Sequence, residues 1–229
     1  MPTPATRNAD LSAMANVNLA AVLYLVGALL SFAVLFATPF YGFLGSYSTT
    51  VNGTGTAFAL SLTWLYAILA FSIVGLVITF VELTLFRGAF RTLAAHDSRF
   101  STPATLVVIL LVALVIVVVA AFGIFYLLYQ ALLCVGTGGT LTTSCFSAGS
   151  FLAILAVLGI AGIAALIGYI GLLIGIWRLG TRYDEGLFKV GAILVIFPIL
   201  NLVGAILILV AVRSTRAKLG AGPSTPAFG

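Results

Sequence analysis

His96 and Asp97 stand side by side in FRTLAAHDSRF, and a histidine oriented by a carboxylate is a common general base. Catalysis also needs a nucleophile or a metal next to that base. The sequence offers neither near this lone histidine, so His96 reads as a surface residue. Cys134 and Cys145, the only cysteines, bracket VGTGGTLTTS, a loop able to close into a disulfide on an oxidising face, with two free thiols as the alternative. Without a histidine or carboxylate beside them, two sulfurs do not make a closed metal site. Glu82, about one turn before Arg87, reads as a carboxylate reaching up to the membrane interface near that arginine. A proton-coupled role would need a buried partner at mid-depth.

These residues sit in a chain of 229 that is 62% hydrophobic and only 7% charged, too apolar for a water-soluble fold. The apolar runs exceed the roughly 18 residues needed to span a hydrocarbon core about 30 Å thick. Because the runs are continuous rather than alternating, they are helices and not barrel strands. The expected fold is all-α, a polytopic membrane helix bundle with four clear spans at about 17–40, 57–83, 104–132 and 150–177. Residues 1–16 are expected as a cytoplasmic segment, 17–213 as one transmembrane domain, and 214–229 as a basic, disordered tail. The first apolar stretch is longer than a signal-peptide core, so span one is expected to be retained.

Charge sets the expected orientation. Arg87, Arg91 and Arg99 follow span two and Arg178, Arg182 and Lys189 follow span four, whereas the loops 44–56 and 133–149 carry no charge. By the positive-inside rule the N-terminus and the basic loops face the cytoplasm of a plasma membrane. Asn52 opens a glycosylation sequon, Asn-Gly-Thr, on the outward side. In span four Ala164, Gly168, Gly171 and Gly175 form a small-residue face for helix packing, with a homodimer seam as the alternative. Phe86, Phe90, Leu93 and Ala94 share one helical face, the pattern of an amphipathic extension of span two lying in the interface.

The C-terminal third runs IWRLGTRYDEGLFKVGAILVIFPILNLVGAILILV. An arginine-bearing helix end, a short polar turn and the repeated VGAIL on either side of a Pro and an Asn resemble an archaeal family of multipass membrane proteins classed as a domain of unknown function. The resemblance covers roughly Gly171 to Lys218 and implies a shared fold in an archaeal plasma membrane; it transfers no reaction, ligand or active-site residue. In the turn, Gly180 is placed for a left-handed helix cap, and Asp184 with Glu185 suits the start of the next helix. Arg178, Arg182 and Tyr183 are candidates for contact with an acidic lipid headgroup.

Residues 187–212 admit two readings. A fifth span kinked at Pro198 would carry Arg213, Arg216 and Lys218 outside; a re-entrant hairpin with Pro198 and Asn201 at its tip would keep every basic residue inside. No catalytic residue, metal or cofactor is implied. The leading expectation is a non-enzymatic envelope-organising or accessory membrane subunit, with a small channel or permease for a small solute or lipid as the alternative. Expected partners are the bilayer and other membrane proteins or a second copy, not nucleic acid, since no basic cluster is dense enough to follow a phosphate backbone.

Overall fold

The computed structural model describes the backbone of residues 4–46, 62–136, 148–197 and 200–220, and the side chains of 6–33, 70–127, 149–197 and 200–220. Among the described residues the structure is six α-helices and one short 3-10 turn, with no strand. They are α1 (Pro4–Ser46), α2 (Leu62–Ala94), the turn Ser98–Phe100, α3 (Ser101–Gly136), α4 (Ala148–Arg182), α5 (Gly186–Leu194) and α6 (Asn201–Gly220). Four stretches are long and apolar enough to cross a membrane: Thr6–Ala33, Ala70–Ala94, Ser98–Leu127 and Gly149–Arg182. Many of their large apolar side chains are exposed, as at Val119 and Ile160, the pattern of helices covered by lipid rather than protein.

Close packing depends on the small residues of α4. A Cβ on Gly168 would stand 2.7 Å from the backbone nitrogen of Leu110, one on Gly171 would stand 2.2 Å from Leu106 Cβ, and one on Gly175 would strike the Phe90 ring. The first two glycines therefore let α4 lie against α3, and the third admits an aromatic ring from α2. These three positions are occupied within the chain. The protein core lies toward the end of the bundle that carries the basic residues, where Met14, Phe90, Leu93, Phe100, Leu179 and Phe188 are fully enclosed. Phe90 stacks on Phe100 with ring centroids 6.2 Å apart.

That core revises two expectations. Phe86, Phe90 and Leu93 do not lie in an interface plane; α2 runs on unbroken to Ala94 and buries this face inside the bundle. Residues from Pro4 onward belong to α1, with Ala13 and Met14 in the core, and α6 continues to Gly220 with Thr215 enclosed, so both expected flanking segments are in part built into the bundle.

The C-terminal segment is a helical hairpin. In one kinked helix Gly191 and Gly204 would be separated by 13 residues, about 20 Å at ~1.5 Å per residue. Instead the two glycines of the repeated VGAIL face each other: a Cβ on Gly204 would meet Gly191 O at 2.9 Å and Val195 N at 2.8 Å, and one on Gly191 would meet Ile208 Cγ1 at 2.7 Å. Contacts 191 to 208 and 195 to 204 run in opposite directions along the chain, so the arms are antiparallel. α5 has 9 residues, about 14 Å of helix, or half a hydrocarbon core. α6 also packs along α1, which closes the hairpin into the bundle.

The turn before the hairpin corrects the capping expectation. Gly180 stays helical; the left-handed residue is Asp184, with φ 49°. Glu185 N–H donates to Gly180 O at 3.0 Å, the six-to-one bond of a Schellman cap. Gly180 is needed for room instead, since a Cβ there would stand 3.0 Å from Glu185 O and 2.9 Å from Lys189 Cγ.

Candidate functional site

Two polar assemblies stand out, one at the basic end and one inside the bundle. At the basic end Arg182, in the last turn of α4, bridges two acidic residues. Its Nη2 donates to Asp10 Oδ1 of α1 at 3.0 Å, and its Nη1 donates to Asp97 Oδ2, after α2, at 3.2 Å. Asp10 is only 7% exposed, so this pairing compensates a charge that water barely reaches. The Arg182 guanidinium also lies 5.7 Å from the centre of the Tyr183 ring. The Tyr183 hydroxyl is enclosed, with no hydrogen-bond partner among the described residues. Burial, with the Asp10 charge nearby, pushes this phenol above its ordinary value.

The same end ties the hairpin down. Lys218 Nζ donates to Glu185 Oε2 at 2.8 Å and Ser214 Oγ donates to the same oxygen at 3.0 Å, joining the start of α5 to the end of α6. Glu185 thus occupies the N-cap position of α5 but spends its carboxylate on α6. The hydrogen bond from Lys218, aided by that from Ser214, holds this carboxyl below its ordinary value of 4.5. A lowered folded value means the contact contributes fully above pH 4.5 and is lost only as pH falls through the lowered value. Arg7 donates from Nη2 to Leu219 O at 2.6 Å and to Gly220 O at 3.0 Å, covering the free carbonyls that end α6. Arg178 donates to Arg99 O. Of the headgroup candidates, Arg178 and Arg182 are therefore engaged within the protein and Tyr183 is largely enclosed.

Deeper along the helices is the second assembly. The break between α5 and α6 frees backbone groups where water is scarce, and side chains from α1 and α4 meet them. Tyr169 donates its hydroxyl to Val195 O, just past the end of α5, at 3.0 Å. Tyr24 donates to Oδ1 of Asn201, the first residue of α6. Glu82 of α2 is 5% exposed and lines a cavity of about 10 Å³ with Tyr24, Leu172, Val195 and Ile208. Glu82 therefore does not reach for the interface near Arg87; it faces the hairpin, and it makes no ion pair among the described residues.

His96 is exposed, with Nδ1 3.5 Å from Thr92 O, and its neighbour Asp97 belongs to the Arg182 pair. No group of three or more His, Cys, Asp or Glu able to hold a metal occurs among the described residues. Asn52, Cys145 and Pro198, and the Cys134 side chain, lie outside the described residues. Ala164 is half-buried on α4, one turn from Gly168. Sequence reasoning missed Asp10, Tyr169 and the interior position of Glu82. Two tyrosines and a carboxylate within otherwise apolar runs were the available signal, but only the assembled helices bring them together.

This arrangement of lipid-facing helices around a few enclosed polar side chains defines a polytopic membrane helix bundle. The chain belongs to the family described as protein of unknown function DUF973, whose model matches residues 10–227 and so takes in nearly all the helices as well as the C-terminal repeat. No curated protein and no solved structure matches it.

Proposed function

We propose that the protein is a small membrane channel or permease in which the α5–α6 hairpin is the gating element and Glu82 the ionisable centre. The observation that carries this reading is the Glu82 carboxyl, enclosed beneath the hairpin with no cationic partner among the described residues. A carboxylate at membrane depth is costly unless a proton or a cation joins it, which is why such residues mark ion and substrate paths. Transporter sites likewise sit where helices are interrupted within the bilayer, as here between Val195 and Asn201. The Tyr24–Asn201 hydrogen bond would then be the contact that opens, and Asn201 the selectivity element. No enzymatic step is part of this reading.

The test is flux in liposomes containing the purified protein, a trapped pH-sensitive dye and an imposed potassium diffusion potential. Wild type is expected to pass protons or cations above the level of empty liposomes, and Glu82→Gln to return flux to that level. Wild-type flux no greater than background, or an unaffected Glu82→Gln variant, would sink the proposal.

Orientation is part of the same reading, with both the N-terminus and the end of α6 cytoplasmic in a plasma membrane. Ala217 is exposed near the end of α6. With Cys134 and Cys145 replaced by Ser, an Ala217→Cys variant is expected to resist a membrane-impermeant maleimide added to intact cells and to react after lysis; labelling of intact cells would reverse the assignment. The second reading, an accessory or envelope-organising subunit, draws on the broad lipid-facing apolar surface of α4 at Leu152, Ile160 and Ile163, where a partner's helix could replace lipid. It gains if flux is absent and the same membrane neighbours co-purify repeatedly in mild detergent.

A further inference from the structure

A groove of about 540 Å³ opens on the flank of the bundle, with walls from α2, α3 and α4, away from the Glu82 cavity. Its volume lies within the roughly 300–1,000 Å³ of sites that hold small ligands. The groove is chemically divided along its length. At the end nearer the bundle's charged face stand Arg87 and Arg91, one turn apart on α2, opposite Ser101 and Thr105 of α3. Toward the membrane interior the lining turns wholly apolar, with Val112 and Ile116 on α3 and the small Ala164 of α4.

The charges at the upper end are uncompensated. Arg182 and Lys218 pair with carboxylates and Arg7 and Arg178 donate to carbonyls, whereas Arg87, Arg91, Arg99, Lys189, Arg213 and Arg216 have no ion-pair partner among the described residues, and of these six Arg87 and Arg91 are the ones that line the groove. The chain has five acidic residues, and Asp10, Asp97 and Glu185 are taken up in the pairs at the basic end. Ser101 and Thr105 turn their hydroxyls onto Ser98 O at 2.7 Å and Ser101 O at 3.0 Å, so the donors left for an anion are the two guanidinium groups. The positive end of the α3 dipole lies beside them and favours negative charge there.

The geometry points to a binding site for one anionic membrane lipid, its phosphate held between Arg87 and Arg91 and one of its chains lying along Val112 and Ile116. Charge complementarity selects an anionic headgroup, and the apolar continuation of the groove into the bilayer selects a lipid over a soluble phosphate. Arginine suits this role because its planar fork grips phosphate oxygens in pairs. The site does not depend on the permease reading.

Native mass spectrometry of the full chain in detergent, with phosphatidylglycerol or phosphatidylcholine added, tests the site. Wild type is expected to retain phosphatidylglycerol preferentially, and Arg87→Gln with Arg91→Gln to weaken that retention roughly 30-fold, about fivefold per arginine. Val112→Trp fills the groove while leaving both arginines in place and is expected to abolish retention as well. Inorganic phosphate at the same concentration is expected not to displace the lipid. Equal retention of the two lipids by wild type, undiminished retention by the double arginine variant or by Val112→Trp, or displacement by inorganic phosphate would each overturn the site.

Discussion

Arg182→Leu is expected to destabilise the bundle by about 2–4 kcal/mol, measured as resistance to unfolding in detergent. The size follows from what the arginine leaves behind more than from the bonds it makes. Asp10 is 7% exposed and holds Arg182 Nη2 at 3.0 Å; without the guanidinium its carboxylate has neither water nor cation to offset burial. Asp97 is wetter, and its loss of a partner at 3.2 Å adds less. The partial exposure of Arg182 places the estimate somewhat below that for a fully enclosed pair. The same reasoning predicts non-additivity: Asp10→Asn added to Arg182→Leu is expected to recover part of the loss, because it removes the stranded charge. If Arg182→Leu unfolds like wild type, or if Asp10→Asn worsens it additively, the pair is not the clamp between α1, α4 and the end of α2 that the distances indicate.

Gly204→Ala is expected to open the hairpin at a cost of about 1–3 kcal/mol, a large effect for one methyl group. The added carbon would stand 2.8 Å from Val195 N and 2.9 Å from Gly191 O, both backbone atoms that no rotamer change can move aside. α5 must shift bodily, and with it the Val195 carbonyl that Tyr169 holds and the helix start at which Tyr24 meets Asn201. On the permease reading, flux and stability are therefore expected to change together in this variant. Gly162→Ala is the matched control, since nothing lies within 4 Å of its Cβ position, and it is expected to be neutral or to gain up to about 1 kcal/mol from helix propensity. Equal behaviour of the two variants in thermal unfolding would show that the arms are not in contact.

Much of the architecture is legible in the sequence. The apolar runs predicted helices in α1 to α4, because lipid leaves the backbone no other partner, and the structure agrees. The small residues of α4 announced close packing, though not that Gly171 meets Leu106 and Gly175 meets Phe90. Harder to read were features with no local signature. Glu82 lies five positions from Arg87, which made a snorkelling carboxylate the economical reading; the rotation of α2 against α1 and the hairpin turns it inward instead. Phe86, Phe90 and Leu93 make the same stripe whether lipid headgroups or other helices cover it, so the pattern did not distinguish an interface helix from a core.

Composition, hydropathic length and the placement of basic residues suffice for the class of this protein, its four long helices and the expected sidedness of its charges. Each is a property that one segment carries within itself and that the bilayer reads without reference to the rest of the chain. The choice between a kinked span and a hairpin depended on tertiary contact, since VGAIL on both sides of Pro198 has the same local preference in either geometry and only the meeting of Gly191 with Gly204 separates them. The ion pair between residues 10 and 182 and the hydrogen bond between residues 24 and 201 are of the same kind. Partners that far apart are brought together by packing alone, and no periodicity along a single helix encodes their meeting.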